Sequence, residues 1–199
     1  MFKNIHELDN YIAEHQIEFV DLYYTDLFGG FRHLSAPANE INELVNEGLA
    51  FDGSSVPGFH SVESGDLLLL PDPSTAFVDP FSEKNVIMLC RQVDAITRIG
   101  NPADPRTIAE KAAKHLNDEL NATSLWLPEI EFFIFNRIDF NTTDFESFYS
   151  LYTNEFICDE ESIGNISTRK DGYHTTPPRD SHFELRANMC RTLKNIGIP

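Results

Sequence analysis

The chain reads as an α+β protein, and three observations point there. Short runs at 17–24, 31–37, 66–70, 75–79 and 85–93 carry apolar residues in the pattern of strands. Two stretches, 5–15 and 38–47, instead space their apolar residues three and four apart, as an amphipathic helix does. Proline and glycine separate these pieces repeatedly, so the strands are short and the connections tight. Together they predict a small mixed sheet with one or two helices across it.

The first helix rests on Ile5, Leu8 and Ile12. A β-hairpin follows, with alternation from Ile17 to Tyr24, a turn around Asp26 to Gly30, and a return run from Phe31 to Pro37. The second helix has Ile41, Leu44 and Val45 on one side and Gly48 as its stop. "FDGSSVPGF" is a loop by composition, and the three remaining strand-like pieces lie beyond it. "GNPADPR" at 100–106 is the clearest boundary, because two prolines and a glycine interrupt every periodic pattern. The predicted domains are therefore 1–103 and 104–199.

In the second domain Asp104 sits as a helix N-cap with Pro105 at the first helical position, and Ile108, Ala112, Leu116 and Leu120 form one stripe. The run "LPEIEFFIF" at 127–135 reads as a buried strand, and residues 139–170 show no assignable pattern. A last helix has Ser181 and Glu184 spaced as a capping box and Gly197 as its stop. Two helices and about as many strands are thin for an independent unit, and the sheet edges lack partners. The reading is a truncated domain.

Composition bounds the function. The 199 residues are 41% hydrophobic, enough for a sizeable core, and carry a formal charge of −17, which argues against non-specific binding to nucleic acid or to an anionic membrane surface. Metal ions or local basic residues must offset that field if anionic ligands are handled. The longest apolar runs, such as "LLLL" at 67–70, are far too short to span a bilayer, and the N-terminus has no signal pattern. Cys90, Cys158 and Cys190 are widely spaced with no CxxC pair, which suits reduced thiols in the cytoplasm.

Glu129 and Glu131 raise the chemical question. Alternate residues of a strand share a face, so these two carboxylates lie side by side, roughly 6–7 Å apart. Burial and a like-charged neighbour both disfavour ionisation, and a cation beside them removes the conflict. The alternative is a strand end leaving the core with both glutamates in water.

Four stretches in this order, "FVDLYYTDLFG", "FDGSSVPGF", "SGDLLLLPDPSTAFVDPF" with the downstream "DPR" helix, and "PEIEFFIF", resemble glutamine synthetases of the class I, bacterial and archaeal type. The resemblance runs from about residue 15 to the C-terminus. It implies an N-terminal β-grasp domain followed by the beginning of an α/β catalytic domain. It also implies ATP-dependent ligation of ammonia to glutamate through a γ-glutamyl phosphate, with Glu129 and Glu131 as ligands of two divalent cations, Mg²⁺ or Mn²⁺. Hard cations of that kind prefer carboxylate oxygens and clamp phosphoryl groups.

The same resemblance assigns Asp52 to attracting ammonium and helping remove its proton, with Ser55, Asp66 and Tyr173 around that substrate. An anion suits this work, because it concentrates the cation and can take its proton. Without the family, Asp52 reads first as a turn aspartate beside Gly53, and Asp66 equally as a strand-capping residue. The aspartate loop of the family reaches into a neighbouring subunit, which implies a homo-oligomer with sites between subunits. "YHTTPP" at 173–178 departs from the family's common "YFPVPP", putting the preferred amine or acid in doubt; His174 there is otherwise an ordinary solvated histidine. Two other readings stand beside ammonia ligation: a γ-glutamyl ligase for another amine, and an inactive homologue acting as a binding or regulatory module.

Overall fold

The computed structural model describes residues 2–56, 65–153 and 172–198. They form two compact units, Met1–Leu125 with Ile196–Ile198, and Trp126–Asn195. The elements of the first are α1 (Ile5–His15), β1 (Phe19–Thr25), β2 (Phe31–Pro37), α2 (Ile41–Glu47), β3 (Leu49–Asp52), β4 (Asp66–Pro71), β5 (Phe77–Val78), β6 (Asn85–Asp94) and α3 (Pro105–Leu120). Those of the second are β7 (Arg137–Thr142), β8 (Ser147–Tyr152) and α4 (Phe183–Asn195).

The mixed sheet runs β2-β1-β6-β4-β3, with β5 also on β6. The ten-residue β6 organises it. Its first half lies parallel to β1, Phe19 opposite Asn85 through Tyr23 opposite Leu89, and antiparallel to β5 on its other edge. Its second half pairs antiparallel with β4, Pro71 opposite Cys90 through Leu67 opposite Asp94. Alternation then decides the core: Val20 and Leu22 of β1, Leu67 and Leu69 of β4, and Val86, Met88 and Cys90 of β6 are buried with Leu8 and Ile12 of α1 and Ile41 and Leu44 of α2. Burial pushes the Cys90 thiol up to about 12, so it stays protonated and packs as a small hydrophobe.

Two buried aspartates fix the connections. Asp26 closes the β1–β2 hairpin: its Oδ1 accepts from the backbone N–H groups of Phe28 and Gly30, each at 2.9 Å, and its Oδ2 from Arg32 Nε at 2.9 Å. The Gly30 amide, the Arg32 guanidinium and the Phe28 amide hold its carboxyl below the usual aspartate range.

Asp104 is fully buried. It caps α3 through the amides of Arg106 and Thr107 and the Thr107 hydroxyl at 2.8 Å, as the sequence predicts for an N-cap followed by proline. It also accepts from the backbone N and the side-chain Nε2 of Gln92 in β6, at 3.4 and 3.2 Å. Gln92 Nε2 reaches Thr25 O as well, at 3.1 Å. The predicted apolar stripe of α3 is not what anchors it: Ile108 and Leu120 are exposed, and Thr107 is the buried residue of the helix. The cap and the salt bridges from Arg106 to Asp72 (2.5 Å) and Glu110 (3.1 Å) hold its first turn instead.

In the second unit the stretch 139–152, unreadable in sequence, forms most of the β7–β8 hairpin, Arg137 opposite Tyr152 through Thr142 opposite Ser147. Residues 154–171, including Cys158, lie outside the described residues. The expected buried strand at 127–135 is corrected. It belongs to no ladder, and Leu127, Ile130 and Phe133 are 93%, 77% and 81% exposed. A strand needs a neighbour for its backbone groups and a layer over its side chains, and among the described residues nothing pairs with it. Helix α4 opens at Phe183, later than a Ser181 cap requires, and Gly197 follows its end at φ 88°.

Two outcomes follow from the aspartates. Replacing Asp104 by Ala strands the Gln92 and Thr107 donors, and urea denaturation should show a loss of about 1–3 kcal/mol. Because the Asp26 pKa is depressed in the folded state, its stabilisation is present above the ordinary aspartate range and lost as pH falls through the folded value. Amide exchange at Phe28 and Gly30 should therefore accelerate on acidification; Asp26→Asn, with no charge to lose, should make it pH-independent apart from intrinsic exchange.

Candidate functional site

Strand β3 ends at Asp52, which caps a single 3₁₀ turn over Gly53–Ser55. The turn is tight because Gly53 N donates to Gly65 O at 2.7 Å. A Cβ on Gly53 would lie 2.5 Å from Leu67 Cδ1 and 3.1 Å from Gly65 O, so the backbone approach requires glycine. Asp52 Oδ1 accepts from Ser54 N at 2.9 Å and Ser54 Oγ at 2.6 Å, and Oδ2 from Ser55 Oγ at 2.9 Å. The Ser54 hydroxyl, the Ser55 hydroxyl and the Ser54 amide hold the carboxyl below the usual aspartate range. Asp52 is therefore ionised and exposed at neutral pH.

Its neighbour across the β3–β4 ladder is Asp66. Two like charges opposite one another on adjacent strands repel, and a small cation placed between them is attracted by both. The structure thus brings Asp52, Ser55 and Asp66 to one end of one strand pair. Tyr173, Glu129 and Glu131 belong to the second unit. Tyr173 is 85% exposed and stacks on His174 with ring centroids 3.9 Å apart, and His174 adopts the left-handed φ of 52°.

Glu129 and Glu131 lie on the exposed stretch outside the ladders. Alternation survives locally, since the Phe133 and Phe135 rings stack at 6.1 Å. The carboxylate pair is the donor type that Mg²⁺ or Mn²⁺ takes, yet among the described residues no group of three or more His, Cys, Asp or Glu side chains comes together. Glu129 and Glu131 accordingly form no such group by themselves among the described residues.

Sequence reasoning singled out Ser55 and passed over Ser54, which makes two of the three bonds that described residues donate to Asp52. The signal was present as Asp-x-Ser, where the aspartate accepts from the backbone two residues on. The same device recurs at Asp72-Pro-Ser74, with bonds of 3.0 Å from Ser74 N and 2.6 Å from Ser74 Oγ.

This geometry sits in a chain that matches two family profiles, "Glutamine synthetase, beta-Grasp domain" over residues 16–95 and "Glutamine synthetase, catalytic domain" over 102–199. The chain belongs to the glutamine synthetase family and corresponds to its N-terminal portion. It is 37% identical to the glutamine synthetase of Methylococcus capsulatus over 196 residues, covering 94% of this chain and 42% of that protein. The glutamine synthetase of Aquifex aeolicus is also 37% identical, over 197 residues, with 96% and 42% covered. A 3-hydroxylaminophenol mutase from Cupriavidus pinatubonensis is 33% identical over 208 residues, with 100% and 44% covered. Among solved structures, the Plasmodium falciparum glutamine synthetase superposes with a TM-score of 0.79 over 98% of this chain and 40% of its own, at 22% identity, a likeness of fold. The chain thus spans less than half the length of these relatives. No helix among the described residues is long and apolar enough to cross a membrane.

The close approach at Gly53 gives a direct check. Gly53→Ala forces Leu67 and the Gly65 carbonyl apart, and chemical denaturation should register a loss of about 1–3 kcal/mol.

Proposed function

We propose that this chain serves in the ATP-dependent ligation of ammonia to glutamate through a γ-glutamyl phosphate, in the cytoplasm and within a homo-oligomer. The observation that carries the reading is Asp52: an exposed carboxylate held ionised by two serines and facing a second carboxylate, in a segment that matches the family's β-grasp profile. Such a group binds ammonium as a cation and receives a proton as the amine becomes nucleophilic. Asp66 adds to the field that draws the cation in, Ser55 orients one oxygen of Asp52, and Tyr173 contributes to holding the amine.

Glu129 and Glu131 would each hold a divalent cation, Mg²⁺ or Mn²⁺. Those ions neutralise the charge that develops on transferred phosphoryl oxygens. Their remaining ligands, and the contacts to ATP and glutamate, are assigned to the part of the family fold that lies outside the span of this chain. In this reading Asp52 serves the site of a neighbouring subunit, so assembly is part of the catalytic machinery.

A second reading, ligation of a different amine, is favoured by one observation. Tyr173 is stacked on a histidine within "YHTTPP", which changes the chemistry beside the proposed amine position.

The test uses this chain joined to the remaining segment of a curated relative. Glu129→Ala should abolish metal-dependent nucleotide binding or phosphoryl transfer. Asp52→Ala should leave nucleotide binding intact and lower the rate with ammonium about 10²–10⁴-fold, the usual contribution of a general base. Co-assembly of the two inactive variants should restore part of the activity; confirmed mixed assemblies as inactive as either parent would rule out the shared site. A comparison of ammonium with alkyl and aryl amines separates the two readings.

A further inference from the structure

The two oxygens of Asp52 are not equivalent. Oδ1 takes both donors of Ser54, the amide at 2.9 Å and the hydroxyl at 2.6 Å. Gly65 beside it carries no side chain; an added Cβ would stand 2.8 Å from Oδ1 and 3.2 Å from Ser54 Cβ. Oδ2 takes one bond, from the Ser55 hydroxyl at 2.9 Å. A carboxylate oxygen has two lone-pair directions, so among the described residues Oδ1 is filled while Oδ2 keeps one direction open.

We propose that Ser54 is a positioning residue for the amine step: by filling Oδ1 with its amide and hydroxyl, it fixes the Asp52 rotamer and leaves Oδ2 as the oxygen that meets the amine. Gly65 completes the arrangement by giving Oδ1 room to lie against the β4 side of the turn. The inference rests on the ligase reading of Asp52 given above. When ammonium gives up a proton here, the proton goes to Oδ2, and the neutral nitrogen keeps the electron pair with which it attacks.

Among the described residues the charged surroundings are simple. Strand β3 is at the sheet edge, so β4 is its one neighbour in the sheet, and Asp66 is the titratable group that β4 places opposite Asp52. Among the described residues no cationic side chain bonds to Asp52; hydroxyls and an amide do the work. Hydrogen bonds to the ionised form favour that form. Loss of the Ser54 hydroxyl therefore moves the titration of Asp52 in a known direction, upward.

The experiment is a ¹³C NMR titration of the Asp52 carboxyl in this chain. In Ser54→Ala the midpoint should rise toward the ordinary aspartate range, while Ser54→Thr, which keeps a hydroxyl, should leave it low. Gly65→Ala, which crowds Oδ1, should raise it as well and serves if Ser54→Ala does not fold. An unchanged midpoint in folded Ser54→Ala or Gly65→Ala, or a raised one in folded Ser54→Thr, overturns the positioning role.

The amine part is read in the ligase assembly. Ser54→Ala should raise the KM for ammonium severalfold, leave those for ATP and glutamate unchanged, and shift the acid limb of the pH–rate profile upward. A shifted NMR midpoint with unaltered ammonium kinetics refutes the amine part alone. An assembly without ligase activity for the unsubstituted chain refutes the functional reading, and the amine part with it, while the NMR result still decides whether Ser54 positions Asp52.

Discussion

A carboxylate with no exposure to water, Asp104, holds the junction on which the first unit depends. Burying a carboxyl group without partners is costly, and here amides and a hydroxyl supply the partners. Those donors come from different places: Arg106 and Thr107 open α3, while Gln92 lies in the long central strand and also grips the end of β1 through Thr25 O. One side chain thereby locks the passage from the β-grasp sheet to the first helix beyond it. Arg106, two residues on, ties the same turn to Asp72 beside β4. The segment between the two family profiles is thus clamped at its end and is not a free linker.

The charge balance explains why so many aspartates in this protein are held in the same way. With 32 acidic and 15 basic side chains, most carboxylates have no cation available to them. Asp26, Asp52, Asp72, Asp94 and Asp104 each accept from backbone amides two to four residues onward, and four of them also from a nearby hydroxyl. These local bonds form tight turns and caps, to which Asp26 and Asp72 add salt bridges with Arg32 and Arg106. Such a turn is structural where it is buried, as at Asp104. At Asp52 the same device stands exposed at the end of an edge strand, where the charge it stabilises is available to a ligand.

The second unit presents the opposite situation. Trp126, Leu127, Phe140 and Phe145 are exposed together with the stretch that carries Glu129 and Glu131, and among the described residues β7 and β8 pair only with each other. Side chains of this kind belong under another layer. The family relatives are more than twice as long as this chain, and the ligand set and cover for this unit are proposed to come from that additional length or from neighbouring subunits.

What the sequence determined by itself was whatever depends on near neighbours. The helix periods of α1 and α2, the hairpin alternation of β1 and β2, the cap at Asp104 with Pro105, and the order of motifs that marks the family are all written within a few residues of one another. Glu129 and Glu131 stood out through their spacing on one strand face, whereas Asp52 was marked by the family resemblance and otherwise reads as a turn aspartate. Tertiary structure alone decided the rest. The parallel pairing of β1 with β6, the placement of Asp66 opposite Asp52, the grip of Gln92 on Asp104 and the approach of Gly65 to Asp52 join residues 12 to 66 positions apart. The same reason accounts for the strand expected at 127–135: its aromatic pattern announces a strand, but a ladder forms only where another strand lies alongside, and local pattern cannot supply one.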